Sequence, residues 1–301
     1  MNETLKGLAE RKSVRSFTDQ PISPEDKAAI LSAAVQAPTA GCQQLYTILD
    51  VTDQALKEKL SVSCDNQPFI AQAPMVLVFC ADAQKWYDAY KLAGCAPRLP
   101  GEGDLMLAVA DTMAAAQNAV TAAWSLGIGS CYIGDVMENA AAQREMLHLP
   151  EYVFPAALLV FGYPTRQQAL REKPPRRDMD IIVHENTYRR LSSPELRRMP
   201  GKSPGGEDFE DWMQAFCARK YNSDFSVEMT ESVREYLESF RRRCYYLVLS
   251  RAGRRYIMDN HKFNWRQRNA HDLETLPGRI PQNICGQHRG LLQGRRPGAG
   301  P

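Results

Sequence analysis

The sequence predicts a three-layer mixture of helix and sheet, and three observations carry that reading. Residues 74–81 (PMVLVFCA) form an unbroken apolar run, the pattern of a strand buried on both faces. Residues 104–126 form a long alanine-rich stretch that reads as one central, closely packed helix. Helix-like and strand-like segments alternate along the chain, with a spacing that does not force a parallel sheet.

A short first helix ends near the 11–17 stretch. Ser23-Pro24-Glu25-Asp26 places serine at the N-cap, proline at N1 and a carboxylate at N3, so a second helix starts there. It runs to about Gln36, because Pro38 disfavours helical geometry at Ala37. Leu45, Thr47, Leu49 and Val51 alternate with Tyr46, Ile48 and Asp50, a strand. Helices follow at 55–62 and 84–92, and a loop with two prolines and three glycines at 94–103. Gly127 ends the long helix. Strands are expected at 128–133 and 156–161, with a helix near 139–147 between them. Residues 164–180 read as a basic, proline-containing loop, and 208–218 and 227–240 as two more helices. No internal repeat is visible.

A chain of 301 residues, 44% of them hydrophobic, suits one large domain or two small ones. No window approaches the roughly 18 unbroken apolar residues of a membrane helix, and residues 1–12 lack a long apolar signal core, so a soluble cytoplasmic protein is expected. Cys42, Cys64, Cys80, Cys95, Cys131, Cys217, Cys244 and Cys285 form no C-x-x-C pair and no ligand spacing with the five histidines. They read as small buried apolar residues, and no metal site is expected. The net charge of +2 hides an asymmetry. Residues 241–301 hold 13 Lys+Arg against 3 Asp+Glu, a net of +10, whereas residues 1–240 hold 24 against 32, a net of −8. Phe240 is therefore the best boundary.

Four separated segments suit an anionic, planar ligand. In Arg11-Lys12-Ser13-Val14-Arg15, an extended chain projects Arg11, Ser13 and Arg15 to one side, two guanidiniums and a hydroxyl that suit a phosphate. The same residues also read as a solvated basic turn. In the loop 37–44 (APTAGCQQ), small residues let a ligand approach the backbone, and Gln44 offers an amide to a ring carbonyl or imide. In 127–135 (GIGSCYIGD), a strand ending in glycine presents N–H groups at close range, or simply turns where positive φ is needed. The loop 173–178 (KPPRRD), following Phe161-Gly162-Tyr163-Pro164, adds positive charge.

In this order and spacing the segments resemble the nitroreductase family. The Arg-Lys-Ser-Val-Arg-Ser-Phe stretch and the capped helix ending at Ala-Pro-Thr-Ala-Gly-Cys-Gln-Gln match its opening. The alanine-rich helix, Gly-Ile-Gly-Ser-Cys-Tyr-Ile-Gly, Phe-Gly-Tyr-Pro and the basic proline loop match the rest. The likeness covers residues 1 to about 195, and 209–240 resemble a C-terminal extension of one branch. It implies an α+β fold, a mostly antiparallel central sheet flanked by helices, in an intertwined homodimer with two FMN sites at its interface. Residues 1–200 form the FMN-binding domain, 201–240 a helical extension of it, and 241–301 a basic tail.

The resemblance further implies that Arg11, Lys12, Ser13 and Arg15 hold the FMN phosphate and ribityl chain, with Arg176 closing from the far loop. Pro38, Thr39 and Ala40 line the flavin from the partner subunit, with Gln44 nearby. Asn66 or Gln67 faces the pyrimidine edge, and Ile133 and Gly134 present backbone near flavin N5. Cys42 departs from the family, many members having asparagine there. NADH or NADPH delivers hydride to N5 and leaves, and a small acceptor then takes its place, a ping-pong cycle. Nitroaromatics, quinones, activated enones and free flavin are the acceptors expected. Flavin carries the chemistry, so no catalytic side chain is assigned. Phe69, Trp86, Tyr90, Trp212 and Phe216 are candidates for the acceptor pocket, or ordinary core and interface.

Two rival readings remain. One is a flavin protein with other chemistry, dehalogenation or flavin destruction. The other is nucleic-acid binding through the arginines and aromatics of 241–301, which carry no recognisable binding module and read equally as disorder or a frame-shifted or fused terminus.

Overall fold

The computed structural model describes residues 1–200 and 208–241, together with the backbone of 245–249 and 255–259. Its centre is a four-stranded sheet of β1 (Tyr46–Val51), β2 (Met75–Asp82), β3 (Gly129–Ile133) and β4 (Val153–Gly162), ordered β1-β2-β4-β3. Every neighbouring pair is antiparallel. All eight residues of β2 are buried, as a strand covered on both faces requires.

Alternation along β2 and β4 sorts the core into two layers. Met75, Leu77, Phe79, Leu159 and Phe161 pack against α2 (Pro24–Val35) and α6 (Glu102–Ser125). Val76, Val78, Leu158 and Val160 pack with Leu60 of α3 (Gln54–Ser63) and Ile70 of α4 (Phe69–Gln72). Alanines 115, 116, 119 and 123 let α6 approach both the sheet and α2, and all four are fully buried. The other faces of α6 leave Met106, Leu107 and Met113 exposed. Around this core stand α1 (Glu3–Glu10), α5 (Gln84–Leu92) and α7 (Ala140–Met146).

Beyond β4 the chain forms α8 (Arg166–Leu170), α9 (Met179–Ile182), α10 (Ser193–Arg197), α11 (Phe209–Lys220) and α12 (Asp224–Arg241). α12 returns to the body, burying Tyr236 and Phe240 against Phe154, Leu45 and Leu105. Tyr236 meets Phe154 edge to face at 5.1 Å, with the Arg144 guanidinium 4.5 Å from its centroid. Glu228 and Ser232 of α12 accept from the N–H groups of Asn139 and Ala140 at 2.9 and 3.0 Å. They cap α7, whose left-handed Asn139 provides no side-chain cap. No helix among the described residues is long and apolar enough to cross a membrane.

The Ser23 hydroxyl accepts from the Asp26 N–H at 3.0 Å, the expected cap. Two expectations need correction. β4 starts at Val153 rather than 156 and runs through Pro155. β3 ends opposite Leu158, so Pro155 has a neighbour on one side only and lies beside an irregularity between Phe79 and Cys80, where a strand tolerates a missing N–H. The 164–180 loop contains α8 and the start of α9, helices too short for a periodicity to show. Of the basic tail, Arg241 at the end of α12 and the backbone of the antiparallel pair β5 (Tyr245–Leu249) and β6 (Arg255–Asp259) are described; the rest lies outside the described residues.

Candidate active site

After α1 the chain runs extended across the sheet. Ser13 bridges Ser130, the Val14 N–H donates to Ser130 O at 2.9 Å, and Phe17 bridges Pro164. Glycine permits this approach at two points. A Cβ on Gly129 would stand 2.6 Å from Val14 Cγ2, and one on Gly162 would stand 2.7 Å from Phe17 Cδ1. Val14 is buried and Arg15 exposed, the alternation expected of an extended segment.

The loop after β4 folds back onto this segment. Lys173 Nζ donates to Leu8 O and Ala9 O at 3.2 and 2.5 Å, satisfying carbonyls at the end of α1, and Arg171 donates to Ser13 O at 2.6 Å. The first and fourth basic segments therefore meet. Burial lowers the Lys173 amine, with Arg176 and Arg11 adding to it. Burial raises the Cys131 thiol, opposed by Arg15, Ser13 and Arg11. The same burial pushes the Tyr132 phenol up to about 12, opposed by Arg11. Arg11 and Arg15 thus lie beside β3 and Lys173 and Arg176 beside Arg11, and among the described residues none of the four pairs with a carboxylate. One Arg11 guanidinium nitrogen is buried without an acceptor. A buried donor left open inside uncompensated positive charge fits a phosphate. Lys12 is different. Its ammonium donates to Ala169 O at 2.7 Å and to Arg171 O, so it fastens the far loop.

At the other end of β3, Ile133 is buried and Gly134 exposed. Gly134 has φ −80°, a conformation open to any residue, so a turn does not demand glycine here. Gly127, at φ +76°, is the position where the turn does. Asp135 accepts from Gln67 Nε2 at 2.8 Å, which brings the loop after α3 to the end of β3. Asn66 is exposed in left-handed conformation beside it.

The loop 37–44 lies at the opposite edge, before β1. Asp111 of α6, which is buried, holds it. Asp111 accepts from the Thr39 hydroxyl, from the Ala40 N–H at 3.0 Å and from the Leu45 N–H at 3.2 Å. The Thr39 hydroxyl also accepts from the Gln44 N–H at 2.7 Å, and Gln44 Nε2 donates to Val35 O at 3.2 Å. Thr39 and Gln44 therefore serve the loop itself, leaving Pro38 exposed at its start. Asp111 escaped the sequence reading, although a lone carboxylate at the centre of an alanine-rich helix was a visible signal.

The aromatic candidates divide. Trp86 donates to Gln43 O at 2.7 Å and Gln43 donates to the Tyr90 hydroxyl at 3.4 Å, so this pair, 5.7 Å apart on α5, sits beside the loop. Phe69 packs against the core layer containing Leu60 and Ile70. Trp212 and Phe216 stack on each other at 4.7 Å on α11, with Arg219 over Phe216, and join neither group within the described residues.

The sequence model described as the nitroreductase family matches residues 8–163. An oxygen-insensitive NADPH nitroreductase of Salmonella typhimurium is 36% identical over 199 residues, covering 66% of this chain and 80% of that protein. An FMN reductase [NAD(P)H] of Bacillus subtilis is 32% identical over 248 residues, 82% of this chain and 94% of that one. Among solved structures, NfrA2 of B. megaterium superposes with a TM-score of 0.70 at 30% identity, covering 80% and 98% of the two chains.

Proposed function

The chain belongs to the nitroreductase family, and on that premise we propose that it is an FMN-dependent oxidoreductase passing electron pairs from NAD(P)H to small electron-poor acceptors. The observation that carries this reading is the cluster of Arg11, Arg15, Lys173 and Arg176 with its open buried donor, a fit to the FMN phosphate. Bound FMN supplies the two-electron chemistry at N5, and the protein supplies binding, orientation and electrostatics.

Arg11 and Arg15 would hold the phosphate, guanidinium being suited to it, with the Ser13 hydroxyl and, from the loop after β4, Arg176. Gln67 would meet the pyrimidine edge, and Gly134, exposed after Ile133, would leave the backbone there open to the ring. Pro38 and Ala40, with the backbone of Thr39, would line the ring from the partner subunit. Trp86 and Tyr90 then border the space where donor and acceptor alternate. Nitroaromatics, quinones and activated enones fit such a space, having a low-lying empty orbital and needing no protein nucleophile.

In this reading a second copy completes the site. The cradle is at the β3 edge and the Asp111-held loop at the β1 edge, three strand spacings or about 14 Å apart. Exposed Met106, Leu107 and Met113 of α6, and Met179, Ile182, Val183 and Tyr188 of the arm after β4, provide the apolar surface for association. The test is the visible spectrum of the purified protein during anaerobic addition of NADPH or NADH. Flavin bands should bleach and return on adding a quinone or nitroarene, and light scattering should give twice the chain mass. A colourless protein that FMN cannot load would defeat the reading.

A further inference from the structure

We propose that Asp135 is a positioning residue that commits Gln67 to presenting a hydrogen-bond acceptor, so that the site selects a ring edge carrying an N–H donor. The inference rests on the FMN reading above. Gln67 is fixed at three places. Asp65 and Asn66, both left-handed at φ 60° and 50°, turn the chain back after α3. The Gln67 N–H then donates to Ser61 O at 2.9 Å, and Gln67 O accepts from the Ser61 hydroxyl at 2.8 Å. The side-chain amide nitrogen donates twice, to Cys64 O and to the Asp135 carboxylate, each at 2.8 Å.

Both partners of that nitrogen are acceptors, which dictates the orientation of the amide. Exchanging its oxygen and nitrogen would set oxygen against oxygen on two sides. With both amide hydrogens committed, Oε1 is all that Gln67 has left to offer, and Oε1 only accepts. The pyrimidine edge of a flavin reads carbonyl, N–H, carbonyl. An acceptor complements only the central N3–H, and repels both carbonyls. Gln67 thereby fixes the ring's register along its edge, and the choice between Asn66 and Gln67 falls to Gln67. Removing Asp135 leaves one amide hydrogen unclaimed and Cys64 O as the remaining acceptor on that nitrogen, so the amide can offer its free N–H to a ring carbonyl and the register loosens.

The experiment uses full-length protein loaded with 15N-labelled FMN and follows the N3–H correlation by NMR, alongside FMN dissociation constants from flavin fluorescence. Wild type should show a protected, downfield N3–H resonance. Asp135→Ala and Gln67→Ala should each lose it to solvent exchange and weaken FMN binding about tenfold, the worth of one such hydrogen bond. The double variant should be no weaker than Gln67→Ala, because Asp135 acts through Gln67. Asp135→Asn, which keeps an acceptor oxygen, should restore the resonance and stay within threefold of wild-type affinity. This variant also guards against misfolding of the alanine variant. FMN bound with an unprotected N3–H in wild type would overturn the inference while leaving the cofactor reading intact, as would additive losses in the double variant. Failure of wild type to bind FMN at all would defeat the cofactor reading itself.

Discussion

At the β3 edge the first basic segment and the loop after β4 bring Arg11, Arg15, Lys173 and Arg176 together without a carboxylate partner among the described residues, and an Arg11 donor is buried and open. At the β1 edge one buried carboxylate, Asp111, is matched by the donors of the loop it holds. Both regions hold buried or half-buried charge, yet only the second is complete within the chain. A complete arrangement is architecture, because its polar groups are already satisfied. An incomplete one is costly to leave empty and therefore marks where a ligand of opposite charge completes it. Lys12 and Lys173 stand between the two cases: each ammonium donates to two backbone carbonyls, and Lys173 also lies within the field of Arg176 and Arg11.

The largest effect should come from emptying the cradle. Replacing Arg11 and Arg15 together by alanine should weaken FMN binding on the order of a thousandfold, two charge-assisted contacts at roughly 2 kcal/mol each. Fluorescence titration at fixed ionic strength measures it, and Lys12→Ala under the same conditions should lose affinity several-fold at most. Equal losses would erase the distinction drawn between Lys12 and the two arginines.

At the other edge, Asp111→Ala leaves the Thr39, Ala40 and Leu45 donors without their acceptor and should destabilise the fold by about 2–4 kcal/mol. Thermal melting of the apo-protein reads this directly. An unchanged melting temperature would mean that the loop does not depend on Asp111. Gly129→Ala links the two kinds of damage, since its Cβ must displace Val14 and with it Ser13 and Arg15. A loss of about 1–3 kcal/mol in stability should accompany weaker FMN binding.

A third charged region gives a pH signature. Glu138 is buried, and its carboxyl is pushed up to about 7, first by burial and then by Asp135, Glu228 and Asp65. The folded state therefore binds this proton more tightly than the unfolded state does. Its stabilising contribution is fully present below the ordinary glutamate value and is lost as pH rises through about 7. Apo-protein stability should fall between pH 5 and 8 by on the order of 1–2 kcal/mol, and Glu138→Gln should flatten that slope. A slope unchanged in the variant would assign it to another group.

The smallest effect concerns Cys42, which is left-handed at φ 56° directly after Gly41. Asparagine adopts that conformation more readily. Cys42→Asn should therefore stabilise by roughly 0.5–1 kcal/mol in the same melting experiment.

Much of this was legible in the residues. The Ser23-Pro24 helix start, the doubly covered strand around Val76–Phe79 and the alanine-rich helix follow from local rules, and the structure has each of them. The basic segments were legible as candidates, since arginine beside small and hydroxyl residues reads as anion chemistry wherever it occurs. The separate roles of Lys12 and Arg11 were not, because neighbouring cations have the same composition whatever their partners. The stacked Trp212 and Phe216 likewise gave a pattern without a place.

Sequence by itself determined which segments are helix or strand, which are apolar on both faces, and that several cationic and glycine-bearing loops occur in the order of the nitroreductase family. Tertiary structure decided what each polar group meets. Thr39 meets Asp111 72 residues away, Gln67 meets Asp135 68 residues away, and Arg11 meets no acceptor at one buried nitrogen. Local periodicity is fixed by backbone geometry within a few residues, and so it is written in the chain. Satisfaction of a hydrogen bond depends on direction and distance between groups that only folding brings together.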